Sequence, residues 1–287
     1  MPDVLRELEP SVERLLERHL AAARDWLPHQ FVPWSQARDF DGPLDGAAWD
    51  PEQSPLPRAV QDALVINLLT EDNLPSYHFE IAARLGRDGA WGTWVHRWTA
   101  EEDRHSTVLR AFIHARRAVD PVALERLRMS HVSTGWSVQW LTPLHCLAYV
   151  TVQELATRQA HRNTGVLCGD VVGESLMARI AADENLHMLF YRGLYADALR
   201  AFPDDAMAAL ADVLCGFEMS GTGIAGFRAR AARVAAAGIC GTTALAVLRK
   251  GLARVLTAEG ITPPVARERL RHHEREPGAA RARRHGT

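Results

Sequence analysis

Six residues of this chain have the types and spacing needed to hold two metal ions. Glu102 and His105 are three positions apart, as are Glu184 and His187, so each pair projects from one face of a helix. These are the only two Glu-x-x-His matches in the sequence. A single match carries little weight, because about one arises by chance in a chain of this length. The order carries more. A lone glutamate precedes each motif at nearly the same distance: Glu71 by 31 positions before Glu102, and Glu154 by 30 before Glu184. This predicts two helical hairpins, each donating Glu and then Glu-x-x-His. Four carboxylates balance the charge of two divalent cations, so the loaded site is neutral, as an apolar interior requires. An oxygen-rich set with two imidazoles suits iron or manganese rather than thiolate-preferring zinc. Ion-paired core residues would explain any one of the six; the ordered set favours a metal.

The elements that must position these residues are legible from hydrophobic period. From Gly89 to about Arg117, the positions Trp91, Val95, Trp98, Glu102, His105, Leu109 and Phe112 fall at alternating steps of four and three. That is the seam of a helix bundle. Leu147, Val150, Glu154, Thr157 and His161 form a second seam, and Gly173, Met177, Ile180, Glu184, His187, Tyr191 and Leu194 a third. The apolar run at 63–69 is hydrophobic on both sides and predicts a buried helix around Glu71. An amphipathic helix is expected over 4–25, with Leu5, Leu8, Val12, Leu15, Leu16 and Leu20 on its buried face. A proline- and glycine-rich connection follows over 26–57. Further helices are expected over about 205–220, 224–237, 241–257 and 262–272, then a polar tail at 276–287. The fold class is therefore all-α, and two Glu plus two Glu-x-x-His donors from four helices match a ferritin-like four-helix bundle with flanking helices. The expected organisation is one domain over 1–275, with the bundle core at 58–200.

Composition narrows the function. The chain has 287 residues, 47% of them apolar, and a net charge of −2, which gives no sign of a nucleic-acid partner. Lys250 is the only lysine, a bias we read as compositional rather than functional. Cys146, Cys168, Cys215 and Cys240 are widely spaced, so neither a disulfide framework nor a zinc knuckle is expected. The N-terminus is acidic and amphipathic, unlike a signal peptide. No apolar run approaches the roughly 18 residues needed to span a bilayer. A cytoplasmic protein is expected.

Four stretches carry a resemblance to a known family: LLTEDNLPSYH at 68–78, WTAEEDRH at 98–105, YVTVQELATRQAHRNTG at 149–165 and IAADENLH at 180–187. They resemble the soluble acyl-acyl carrier protein desaturases, particularly those of actinobacteria, and the likeness reaches back to WLPHQFVP at 26–33 and forward to about Phe227. The resemblance implies the same six ligands, with Glu102 and Glu184 bridging two irons. It also implies acyl carrier protein and ferredoxin as partners, O2 as co-substrate, and a homodimer. Metal-bound histidines donate their far N–H to an outer acid. Pseudo-twofold symmetry then pairs Asp183 with His105, and Glu101 with His187. In the family, the Asp183 position belongs to a Trp–His–Asp chain from surface to metal. Trp26 matches its tryptophan through the Trp-x-Pro-x-x-Phe-x-Pro context. The family likeness puts the Thr157 hydroxyl on the O2 side of the irons; the competing reading is a threonine bonded back to its own helix. Pro75 cannot donate to the Glu71 carbonyl, so either a kink or a helix end is expected one turn past that ligand.

This sequence departs from the family at Asp103, Ser106 and Val152, and at His78, Glu80 and Arg84, where plant members carry apolar channel residues. Removing hydrogens from adjacent methylenes requires a cofactor, because those C–H bonds are too strong for side-chain acids and bases. Arg110, Arg116, Arg117, Arg126 and Arg128 are candidates to dock the acidic carrier protein. Two other readings remain at this point: a di-iron hydroxylase or N-oxygenase acting on a carrier-tethered acyl or aminoacyl group, and a ferritin-like iron-handling protein without an acyl-sized cavity at the metal.

Overall fold

The computed structural model describes residues 3–137 and 142–238. The helices expected beyond 240, the tail and Cys240 lie outside them. The described residues form α1 (Val4–Ala22), α2 (Arg58–Glu71), α3 (Leu74–Leu85), α4 (Gly89–Ala115), α5 (Pro121–Thr134), α6 (Pro143–Leu167), α7 (Val171–Ala201), α8 (Pro203–Cys215) and α9 (Phe227–Ala236). No strand ladder is present among them, only an isolated bridge from Phe40 to Ala47. None of these helices is long and apolar enough to cross a membrane.

The boundaries follow local chemistry. Asp120 caps α5 by accepting the Val122 and Ala123 N–H groups, and Pro121 fills the first helical position, where an N–H has no intrahelical partner. Asp170 caps α7 through the Gly173 N–H at 2.9 Å and also pairs with Arg116. Gly169, at φ +68°, turns the chain between α6 and α7. The 26–57 connection is irregular, with short 3-10 turns at Pro28–Phe31, Trp34–Gln36 and Pro51–Gln53. The α8 helix ends at Cys215, earlier than the periodicity predicts, and a 3-10 turn at Ser220–Gly223 leads into α9.

Every position of the three seams is buried. The core forms two apolar clusters. One gathers Trp91–Trp98 of α4, Leu144–Val150 of α6 and Phe190–Leu199 of α7, with parts of α1, α3 and α8. The other gathers Val108–Ala115 of α4, Leu176–Ile180 of α7, most of α2 and Val234 of α9. On both α4 and α7 the Glu-x-x-His motif falls between the two clusters. The bundle thus places a layer of acids and imidazoles where its apolar packing is interrupted. The α1 register differs from expectation: Leu20 is 47% exposed, and His19, at 4%, continues the buried stripe of Leu8, Val12 and Leu15.

Candidate metal centre

The α2, α4, α6 and α7 helices bring all six predicted residues together. Glu71, Glu102, His105 and Glu184 form one set in which donor atoms lie within 4.8 Å of one another; Glu102, Glu154, Glu184 and His187 form a second. The sets share Glu102 and Glu184, the two glutamates of the Glu-x-x-His motifs. All six side chains are buried.

The imidazoles point the same way. His105 turns Nδ1 inward, 3.2 Å from Glu102 Oε2 and 3.8 Å from both Glu71 Oε2 and Glu184 Oε1. His187 turns Nδ1 to Glu102 Oε1 at 2.7 Å and to Glu154 Oε2 at 3.8 Å. Their Nε2 atoms point outward: His187 Nε2 lies 2.9 Å from Glu101 Oε2, and His105 Nε2 lies 3.6 Å from Asp183 Oδ2, too long for a hydrogen bond. Of the two expected pairings, Glu101 lies within hydrogen-bond distance of His187, whereas Asp183 lies near His105 without bonding it. Trp26 donates from Nε1 to Asp183 Oδ2 at 2.6 Å. The indole is only 6% exposed and lies beneath the Arg104 and Arg179 guanidiniums, so it does not itself reach the surface.

The acids and imidazoles perturb one another strongly. Burial, and then the neighbouring Glu184 and Glu102 charges, push the Glu154 carboxyl well above the usual carboxylate range. Burial also opposes charge on Glu71, but the neighbouring His105 and the hydrogen bond with His161 outweigh it and lower its pKa. His187 resists charging through burial, yet Glu102 and Glu101 push it up to about 10. Glu102 Oε1, Glu184 Oε2 and His187 Nδ1 are buried and make no properly formed hydrogen bond, despite lying among one another. Buried polar atoms left in that state are costly. Converging lone pairs of this kind fit divalent cations.

A family model described as fatty acid desaturase matches residues 1–243. The chain belongs to this family. DesA1 of Mycobacterium tuberculosis, provisionally named an acyl-[acyl-carrier-protein] desaturase, is 48% identical over 244 residues, covering 82% of this chain and 72% of that protein. The X-ray structure of DesA2 from the same organism, likewise provisionally named an acyl-ACP desaturase, superposes with a TM-score of 0.75 at 32% identity, over 93% of this chain and 98% of that one. A chloroplastic acyl-[acyl-carrier-protein] desaturase of rice is 33% identical over 227 residues, and the match spans 55% of its length.

Among the described residues of this desaturase-family chain, two cavities adjoin the cluster of acids and imidazoles. Glu71, Glu102, Glu154 and Glu184 border the first, whose walls are mainly Leu74, Ile81, Trp98, Trp136, Tyr149 and Val150. The second, of about 300 Å³, lies between α2, α6 and α9. Thr70, Glu71 and Thr157 line both. The Thr157 hydroxyl donates back to the Gln153 and Glu154 carbonyls. The break at Pro75 is a helix end: α2 stops at Glu71, and Pro75 sits in the first turn of α3. Among the departures, Glu80 and Arg84 line the first cavity as an ion pair, whereas His78 lies outside it, hydrogen-bonded to Thr99.

Three contacts had no counterpart in the sequence reading. Trp98 donates to Glu154 Oε1 at 3.0 Å, His161 sits 2.9 Å from Glu71 Oε1, and His19 sits 2.9 Å from Glu101 Oε2. Trp98 and His161 occupy seam positions, and His19 falls in the 8–12–15–19 register of α1, the one signal that could have singled each out. One expected docking residue is corrected. Arg117 is 2% exposed and clamps the 38–53 connection through the Asp39, Ala47 and Ala48 carbonyls, so it cannot meet a partner. Arg110, Arg116 and Arg128 are paired with Asp72, Asp170 and Glu125, while Arg126 is exposed.

Proposed function

We propose that this chain is an O2-dependent desaturase that introduces a cis double bond into a fatty acyl chain carried on acyl carrier protein, using two irons. Glu71, Glu102, His105 and Glu184 would hold one iron, and Glu102, Glu154, Glu184 and His187 the other. When bound, the irons supply the O2-activating redox chemistry that no side chain can. The observation that carries this reading is the pair of donor sets sharing Glu102 and Glu184 beside an apolar cavity.

The rest is the work of the chain's own residues. Leu74, Ile81, Trp98, Trp136 and Val150 would hold the acyl chain and exclude water. Thr70 and Thr157, where the two cavities meet, would flank the reacting carbons and O2. Asp183 and Glu101 would orient His105 and His187. The Trp26–Asp183–His105 arrangement supports electron entry at that face. Arg24, Arg158, Arg162 and Arg179 line one surface depression there, which supports docking of an acidic donor such as ferredoxin. A cytoplasmic location and a homodimer complete the proposal; the exposed Val166, Leu167 and Val171 at the α6–α7 turn are apolar surface that association could cover.

The test is single turnover of iron-loaded protein with acyl carrier protein thioesters, a reductant and O2, read by product mass. A product lighter by two hydrogens supports desaturation. A product heavier by one oxygen atom would overturn it in favour of hydroxylation.

A further inference from the structure

Glu101 is held from three sides. Its Oε2 lies 2.9 Å from His187 Nε2 and 2.9 Å from His19 Nε2, so one oxygen faces two ring nitrogens. Its Oε1 takes the Arg97 Nε–H at 2.6 Å. His19 does not belong to any helix that carries metal donors. It comes from the last turn of α1, is 4% exposed, and lies 5.8 Å from the His187 ring in a near-parallel stack, with Trp94 edge-on to both rings. An ionised carboxylate only accepts hydrogen bonds. Both imidazoles must therefore carry hydrogen on Nε2 to bond Glu101, which turns the His187 Nδ1 toward the donor cluster. The other half of the site is built alike with different parts: Trp26 donates to Asp183, which faces His105. His19 and Trp26 are seven residues apart. The N-terminal segment thus closes the outer end of both histidines.

We infer that His19 is a positioning residue for the metal centre. Through Glu101 it fixes the tautomer and orientation of His187, and so sets the affinity of the metal position that His187 serves and not that of the His105 position. This rests on the proposed two-metal reading of the site. Outer partners of metal-bound histidines are typically worth about 10–100-fold in metal affinity.

Anaerobic Co2+ titration, followed by visible absorption, tests it in the full chain. The variants are His19→Leu, His19→Gln and His19→Asn, each with a thermal melt. Gln sets an N–H donor at about the reach of histidine Nε2; Asn is too short. The expected result is that Leu and Asn weaken one of two Co2+ positions by about 10–100-fold and alter its spectrum, while Gln stays near wild type. Wild-type affinity at both positions in Leu and Asn, with only the melt lowered, would overturn the inference. So would equal weakening by Gln and Asn. Wild-type protein that takes up no Co2+ would instead overturn the two-metal reading on which the inference rests.

Discussion

At the residue scale, the donor sets assign unequal consequences to the six residues. Glu102 and Glu184 belong to both sets, whereas Glu71 and Glu154 belong to one each. Glu102→Ala or Glu184→Ala should therefore abolish the coupled centre, while Glu71→Ala should leave one metal bound; iron analysis with Mössbauer spectroscopy separates these outcomes. A fully coupled centre in Glu102→Ala would refute the sharing. The histidines make a second prediction. In the metal-free chain His187 is pushed up to about 10 and His161 to about 9, against an ordinary 6.5. A raised histidine pKa contributes stability that is complete below about pH 6.5 and is lost as the pH climbs through 9 to 10. Metal must displace the His187 proton, so uptake at neutral pH should release protons and affinity should rise with pH. Calorimetry in buffers of different ionisation enthalpy checks this; heats independent of the buffer would contradict it. Trp26 provides a third. Trp26→Leu should leave iron loading intact but slow reduction of the site by about tenfold or more, read by stopped flow. An unchanged rate would leave the indole as packing alone.

At the element scale, the three seams were legible because a heptad pattern states which face of a helix is buried, and an acid on that face demands a partner. What the pattern does not state is which side chain faces which across the bundle. The Trp98–Glu154, His161–Glu71 and His19–Glu101 contacts join residues on different helices, or far apart in the chain, so periodicity along one helix could not pair them. On α1, Leu20 was assigned to the buried face because it is apolar, yet the 8–12–15–19 register puts a histidine there instead. Arg117 was read as surface from its charge alone; its φ of +48° and its carbonyl partners are tertiary facts. Pro75 was legible as an interruption, and tertiary packing made it a helix end. The α3 helix yields its own prediction. Glu80 and Arg84 are one turn apart and bring a charged pair to the wall of an apolar cavity. Arg84→Leu alone should cost about 1–3 kcal/mol by leaving a partly buried acid without this partner. Glu80→Leu with Arg84→Leu should restore most of that stability and widen the range of acyl chains accepted, as read by melting and product profile. A double variant no more stable than the single, with an unchanged profile, would remove the pair from substrate selection.

At the scale of the whole molecule, two apolar clusters clamp a polar layer, and the N-terminal helix and the connection after it close that layer from outside. The α9 helix is tied to α2 by Arg230 and Arg233, both on the fully buried Asp62. Association should follow the same economy of apolar surface: light scattering at micromolar concentration should report a dimer, and a monomer would count against it. The central claim is that six side chains from four helices share two metal ions. Crystals of the iron-loaded protein, measured above and below the iron absorption edge, test it most directly. Two anomalous peaks per chain are expected, one among Glu71, Glu102, His105 and Glu184 and one among Glu102, Glu154, Glu184 and His187. A single peak, or peaks bound elsewhere, would contradict it.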